Sequence, residues 1–376
     1  MPSQELILEA LGTVNDPEIR RPITELGMVK SVSVDASGRA TIEVYLTISG
    51  CPMREDIVSR VTEAVNGVSG VTAVEVVLDV MSDEQRAALK KQLGGDTKEI
   101  AFAKPGSLTR VYAITSGKGG VGKSSMTANL AAAMALRGIA VGLVDVDIYG
   151  HSIPRALGSA APPTSVDGMF LPPQAHGVKF MSMAPFKPQG VTQPVALRGP
   201  MLHRYVESFL ADVYWGDLDV LLLDLPPGTG DVAMSLAQLL PSSELLVVTT
   251  PQPAAADVAV RAGMMAELTH QQVFGVVENM SAFACPHCGE PIEIFGVGGG
   301  ALVAEQLSSA LGTTIPLLGR IPFDVRLREG GDSGVPLVVS EPTAPAAQVI
   351  DEIATKMSNR ARGLVGMNLD ISPTRK

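Results

Sequence analysis

Cysteine, aromatic rings, positive charge and long apolar runs are all scarce in this chain. Only three cysteines occur in 376 residues. Three thiols cannot build a disulfide framework, which excludes a small secreted scaffold. Aromatics make up 4%, with one tryptophan, and 29 basic against 39 acidic residues leave a net charge of -10. Nucleic-acid grooves need basic surface and stacking rings, so that partner class is disfavoured. Met1 to Glu9 has neither a basic start nor an apolar run and does not read as a signal peptide. The most apolar stretch, Ala128 to Val146, is interrupted by Asn129, Arg137 and Asp145, whereas a spanning helix needs about 20 mainly apolar residues. The expectation is a soluble, cytoplasmic protein without membrane or nucleic-acid partners, whose thiols stay reduced. A hydrophobic fraction of 46% excludes a wholly disordered chain. At about 150 residues per domain, the length predicts two or three domains.

The residue pattern divides the chain into a small α+β domain at residues 1–93, a linker at 94–108 and a larger domain at 109–376. In the first, Glu5 to Leu11 predicts a helix with Leu6, Ile7 and Leu11 on one face, broken by Asp16-Pro17-Glu18. Val29 to Val34 and Thr41 to Leu46 alternate like strands. A helix is expected after Gly50-Cys51-Pro52 with Ile57, Val61 and Val65 inward, then a strand at Ala73 to Leu78. Ser82 and Gln85 form a capping box for a polar helix ending near Leu93. From Arg110 onward, short apolar runs alternate with Ala-rich helical stretches. The runs Val111–Thr115, 140–144, 220–223, 245–249, 274–277 and 317–321 show little alternation, as strands buried on both faces do. That pattern predicts α/β architecture with a mostly parallel sheet. Residues 159–200 are rich in Pro and Gly and read mostly as loop.

Gly117-Lys118-Gly119-Gly120-Val121-Gly122-Lys123-Ser124 lies between a predicted strand and a predicted helix and satisfies the P-loop pattern. Glycines let backbone N–H groups wrap phosphates, and the following helix offers its positive end. Lys123 is expected to neutralise β/γ charge and Ser124 to ligate Mg²⁺. Asp145 and Asp147 follow a predicted strand, at the end where ligands of open α/β sheets bind. One can organise the magnesium shell while the other positions water. Leu221-Leu222-Leu223-Asp224 is an apolar strand ending in a second magnesium-site carboxylate. Asp231 reads as a helix N-cap rather than a catalyst. Asn279 is a candidate for binding adenine through its amide, or a plain turn residue.

Cys285-Pro286-His287-Cys288 places two thiolates close enough to share a metal or cluster. Two ligands leave a four-ligand site half filled, and Cys51 is far away in sequence. Across a twofold axis, two pairs supply four thiolates. A shared [4Fe–4S] cluster and a structural zinc both fit that arithmetic. A redox pair is the third reading, although Gly289-Glu290-Pro291 argues against the helix that such oxidase motifs open. His287 reads as a bystander, and Cys51 as a half-buried structural thiol or a transient contact.

The K-G-G-V-G-K-S string resembles the deviant Walker A of the ParA/MinD-like ATPases. That resemblance implies an ATP-sandwiched homodimer with Lys118 reaching the neighbouring subunit's nucleotide, and it assigns the attacking water to Asp147. The same string, with Asp145 to Gly150, Asp224 to Asp231, Thr249 to Gln252, Val277 to Met280, the cysteine pair and Ile294-Phe295-Gly296, resembles the Mrp/ApbC family over roughly residues 108–355. The N-terminal region resembles the small iron–sulfur assembly domain often fused to it. His151 and Leu197 depart from the family's usual Pro and Trp. The resemblance implies an ATP hydrolase that carries [4Fe–4S] clusters on Cys285 and Cys288. Apo client proteins, with or without scaffold proteins, are its implied partners. A MinD/ParA-type positioning ATPase is the alternative, and the mixed charge of Ala346 to Ala361 does not make the basic face it would need.

Overall fold

The computed structural model describes residues 3–48, 51, 53–95, 99–104, 106–147, 150, 152–159, 161–186, 199–228, 230–285 and 287–358. His151, Leu197, Pro286 and residues 359–361 lie outside them. The chain divides into two compact units. One comprises Met1–Lys98, Pro163–Pro173 and Asp212–Gly216; the other takes in Glu99–Pro162, Gln174–Ala211 and Asp217–Lys376.

In the first unit, helix Gln4–Leu11 starts at Ser3, whose side chain accepts from the Leu6 N–H. Ile7 and Leu11, one turn apart, enter the core. Leu6 is 50% exposed, because the adjacent helical position points about 100° away. Strand β1 (Val29–Val34) pairs antiparallel with β2 (Arg39–Leu46), which pairs parallel with β3 (Ala73–Val80). The parallel step needs a crossover, supplied by helix Arg54–Asn66 with Ile57, Val61 and Val65 buried. The Ser82/Gln85 capping box is formed and opens helix Asp83–Gln92. The hairpin of Thr164–Val166 with Met169–Leu171 belongs to this unit and sends Val166, Met169 and Leu171 into its core.

The second unit is built on an eight-stranded sheet. Its strands are β4 (Arg110–Ser116), β5 (Val141–Asp145), β6 (Val178–Met181), β7 (Val220–Asp224), β8 (Glu244–Thr249), β9 (Gln272–Asn279) and β10 (Leu317–Ile321). Their order is β10-β9-β8-β4-β7-β5-β6, and Gln174–Ala175 closes the β6 edge as the one antiparallel member among the described residues. The parallel α/β expectation therefore holds. Among the described residues, four short strands arise where the sequence reads mostly as loop: the two arms of the hairpin above, Gln174–Ala175 and β6. In β6 all four residues are buried, Lys179 included. A lysine inside a four-residue run hides the apolar signal that marks the other strands.

Helix Lys123–Leu136 is buried on nearly every side, lying among the sheet and helix Pro345–Ser358. Ala128, Ala131 and Ala132 leave room for that close packing. The chain runs from β4 out to β5 on one side and from β7 to β8 on the other. The carboxyl end of β4 is thus a topological switch point, where such sheets bind ligands.

Candidate nucleotide site and cysteine hairpin

The glycine-rich loop leaves β4 at Ser116 and enters helix Lys123–Leu136 through Gly122. Gly120 and Gly122 both have φ +81°, a left-handed conformation that costs any residue with a Cβ. Gly117 is needed for a different reason. A Cβ there would stand 2.3 Å from the Val258 carbonyl carbon, so the loop lies hard against helix Pro253–Gly263.

Lys123, Ser124 and Asp224 converge. Lys123 Nζ lies 2.7 Å from Asp224 Oδ1, and Ser124 Oγ donates to Asp224 Oδ2 at 2.5 Å. Thr127, one helical turn beyond Lys123, adds a bond to Asp224 Oδ1 at 3.0 Å. Asp145 sits beside them, since β5 and β7 pair with Asp145 opposite Asp224. Its Oδ2 accepts from Ser182 Oγ at 3.1 Å and from the Ile153 N–H at 3.3 Å. Its Oδ1 is buried without a partner. Burial first, and the Asp224 carboxylate second, raise the Asp145 pKa well above the ordinary aspartate value. Two buried carboxylates, a serine hydroxyl and an orphaned oxygen form a hard-oxygen donor set that fits Mg²⁺. A bound cation would supply the charge that the orphaned oxygen lacks.

The other expected residues are placed differently. Asp147 Oδ1 accepts from the Gly150 N–H at 2.9 Å instead of joining the cluster. Lys118 Nζ donates to Gln252 Oε1 at 2.9 Å, at the start of helix Pro253–Gly263. Asn279 at the end of β9 donates from Nδ2 to the Val121 carbonyl at 2.9 Å, and its Oδ1 accepts from the Met280 N–H. It braces the phosphate loop. Gly230, not Asp231, is the cap residue of helix Asp231–Leu239. Thr127 and Ser182 were not singled out from sequence, because neither hydroxyl belongs to a motif.

A cavity of about 340 Å³ opens beside the loop, lined by Gly122, Met126, Asn279, Met280, Pro322 and Phe323 among others. Its predominantly apolar walls and its size suit a nucleobase. Met280 adopts φ +59° at its edge. A groove of about 740 Å³ lies at the opposite, amino-terminal ends of β8 to β10 and is remote from this chemistry.

Six residues beyond Asn279, the cysteine pair occupies the tip of a hairpin whose arms are Phe283–Ala284 and Pro291–Ile292. The Cys285 N–H donates to the Glu290 carbonyl at 2.9 Å, and the Gly289 N–H to the Cys285 carbonyl at 2.8 Å. The described residues of the tip form a turn and not the start of a helix, the context that the redox reading needs. Cys285 is half-buried and Cys288 exposed. The Cys288 backbone N–H, then that of His287, then the Cys288 side chain hold the Cys285 thiol below its ordinary pKa. No group of three or more His, Cys, Asp or Glu side chains suited to a metal assembles among the described residues. One chain therefore offers this site two thiols.

The hairpin is rooted in the wall of the nucleobase-sized cavity. The Ser281 N–H donates to the Ile321 carbonyl at 2.9 Å, and the Phe323 N–H to the Ala282 carbonyl at 2.7 Å. The Phe323 ring lies 5.9 Å from Phe283 and 6.0 Å from Phe295. Cys51, by contrast, is buried in the core of the first unit, and burial above all, with Glu18 and Asp16 adding, pushes its thiol up to about 11.

A parallel sheet whose central strand feeds a glycine loop, with Lys123, Ser124 and Asp224 gathered below it, defines a P-loop NTPase. Residues 107–358 match the family model of the NUBPL iron-transfer P-loop NTPases, and residues 4–76 match that of an iron–sulfur cluster assembly protein. The chain belongs to this iron-transfer P-loop NTPase family. It is 61% identical over 372 residues to an iron–sulfur cluster carrier protein of Mycobacterium tuberculosis, covering 98% of this chain and 97% of that one. A Bacillus subtilis protein of the same description is 36% identical over 355 residues, covering 94% and 97%. A nucleotide-binding protein of Archaeoglobus fulgidus, solved with ADP, superposes with a TM-score of 0.54 at 35% identity, covering 66% of this chain and 95% of that one. No helix among the described residues is long and apolar enough to cross a membrane.

Proposed function

We propose that this chain is a cytoplasmic carrier of [4Fe–4S] clusters that works as an ATP-hydrolysing homodimer and delivers its cluster to apo client proteins. The carrying observation is the half-complete thiol site. Cys285 and Cys288 stand at a hairpin tip with Ile292, Ile294 and Val297 exposed close by in sequence. A second copy meeting this face would complete four thiolate ligands and cover the apolar side chains. Phosphates would sit on the backbone of Gly117 to Gly122, with Lys123 against the β/γ charge and Mg²⁺ on Ser124, Asp145 and Asp224. Asp147 would position the attacking water, and Lys118 would leave Gln252 to reach the neighbouring subunit's nucleotide. Adenine would fill the cavity walled by Asn279. That same wall roots the cysteine hairpin through Ile321 and Phe323, so nucleotide and cluster occupancy should be coupled, in both directions.

The division into domains at 1–93 and 109–376 belongs to this proposal. So does a docking role for the N-terminal unit toward clients or scaffold proteins. Hydrolysis by the isolated dimer should be slow. The test combines two variants in protein reconstituted anaerobically with iron and sulfide. Lys123→Ala should lose nucleotide binding yet retain the brown cluster. Cys285→Ala should lose the cluster yet bind nucleotide. Normal hydrolysis by Lys123→Ala would overturn the nucleotide site. Transfer that restores an apo client enzyme from wild type but not from Cys285→Ala would establish delivery. ATP-dependent co-sedimentation with liposomes or DNA would support a positioning ATPase instead.

A further inference from the structure

We infer that Ser182 is a positioning residue for the magnesium carboxylate Asp145, an inference that rests on reading the phosphate loop as a Mg²⁺–nucleotide site. Ser182 directly follows β6, and β5 pairs with β6 so that Val144 lies opposite Met181. In neighbouring parallel strands the next residues then lie side by side, which sets Ser182 against Asp145. The Ser182 hydroxyl oxygen accepts from the Ala184 N–H at 3.3 Å. Its single proton is directed to Asp145 Oδ2 at 3.1 Å. The Ile153 N–H donates to the same oxygen at 3.3 Å.

Both donors fall on Oδ2, and none on Oδ1, which is buried and unpartnered. Ser182 is itself 3% exposed and Asp145 1%, so water does not compete freely for either. A carboxylate pinned at one oxygen cannot rotate to share its bare oxygen with another donor. Ser182 therefore keeps Oδ1 available, in one orientation, for the cation or a water bound to it. Partners that orient a metal ligand through its second atom act on metal affinity without touching the metal. The strand that delivers this hydroxyl is β6, where the sequence shows no motif.

The test is nucleotide affinity measured by calorimetry with ADP, once with Mg²⁺ and once with EDTA, in wild type, Ser182→Ala and Ser182→Thr. The ratio of the two dissociation constants isolates the magnesium contribution. Ser182→Ala should shrink that ratio by about tenfold, with the EDTA affinity unchanged. Ser182→Thr, which keeps the hydroxyl, should restore it. An unchanged ratio in Ser182→Ala overturns the inference. So does a loss that is equal with Mg²⁺ and EDTA, since that would be a merely structural effect. A wild-type protein that binds ADP equally with and without Mg²⁺ would instead overturn the magnesium site itself.

Discussion

Gly120 and Gly122 offer a controlled comparison within one loop. Both have φ +81°, so an alanine at either position carries the same left-handed strain of about 1–2 kcal/mol. Their surroundings differ. A Cβ on Gly120 meets nothing within 4 Å, whereas one on Gly122 would stand 2.3 Å from Asn279 Nδ2. Real contacts of that kind do not fall below 3.0 Å, so Asn279 has to move. Its 2.9 Å bond to the Val121 carbonyl is then lost. Leaving a buried amide and carbonyl unpaired costs about 1–3 kcal/mol. Gly122→Ala should therefore be less stable than Gly120→Ala by that amount, a further drop of roughly 2–10 °C in Tm for a unit of this size. Scanning calorimetry should follow the transition that shifts with Mg²⁺–ADP, because a chain of two units need not unfold in one step. In an Asn279→Ala background the clash disappears, and the two alanines should become equivalent. Equal losses at both glycines, or strict additivity with Asn279→Ala, would refute the brace.

Asp145→Asn should stabilise the nucleotide-free protein at neutral pH. A raised carboxyl pKa favours the fold below the ordinary aspartate value, and that contribution is lost as pH rises through the folded value. The variant should be more stable than wild type at pH 7, with the gain shrinking as pH falls toward the ordinary aspartate value, while the rise in Tm on adding Mg²⁺–ADP is lost. A variant less stable than wild type at pH 7 would contradict this. Thiol alkylation should find two fast cysteines and one slow. With its thiol pushed from 9.0 to about 11, Cys51 carries about a hundredfold less thiolate at pH 8 than an ordinary cysteine, and mass spectrometry of timed iodoacetamide digests would show it. Labelling of Cys51 as fast as Cys288 would refute its burial.

The six short apolar runs of the larger domain were legible because strands buried on both faces show little polar alternation. The phosphate loop was legible because its glycines and Lys123-Ser124 stand in a fixed spacing. β6 was not, since it is four residues long and contains Lys179. With it went Ser182, whose role exists only through the register between β5 and β6. Asn279 was found from its place after a strand, but its bond to Val121 depends on how closely two loops approach, which no spacing encodes. Asp145 and Asp147 alternate onto one face of an extended segment, yet only Asp145 enters the buried cluster. The turn at Gly150 takes the Asp147 carboxylate. Cys285 and Cys288 stand together at one hairpin tip, as their C-x-x-C spacing implies. That its hairpin shares Ile321 and Phe323 with the nucleobase-sized cavity is a tertiary fact, carried by hydrogen bonds between segments some forty residues apart.

Stoichiometry decides whether two chains share one cluster through Cys285 and Cys288. Iron and acid-labile sulfide should be counted in anaerobically reconstituted protein fractionated by size. Four irons and four sulfides per two chains, falling to none in Cys285→Ser/Cys288→Ser, are the expected values. A full complement retained by the double variant, or zinc in place of iron at the same thiols, would contradict it.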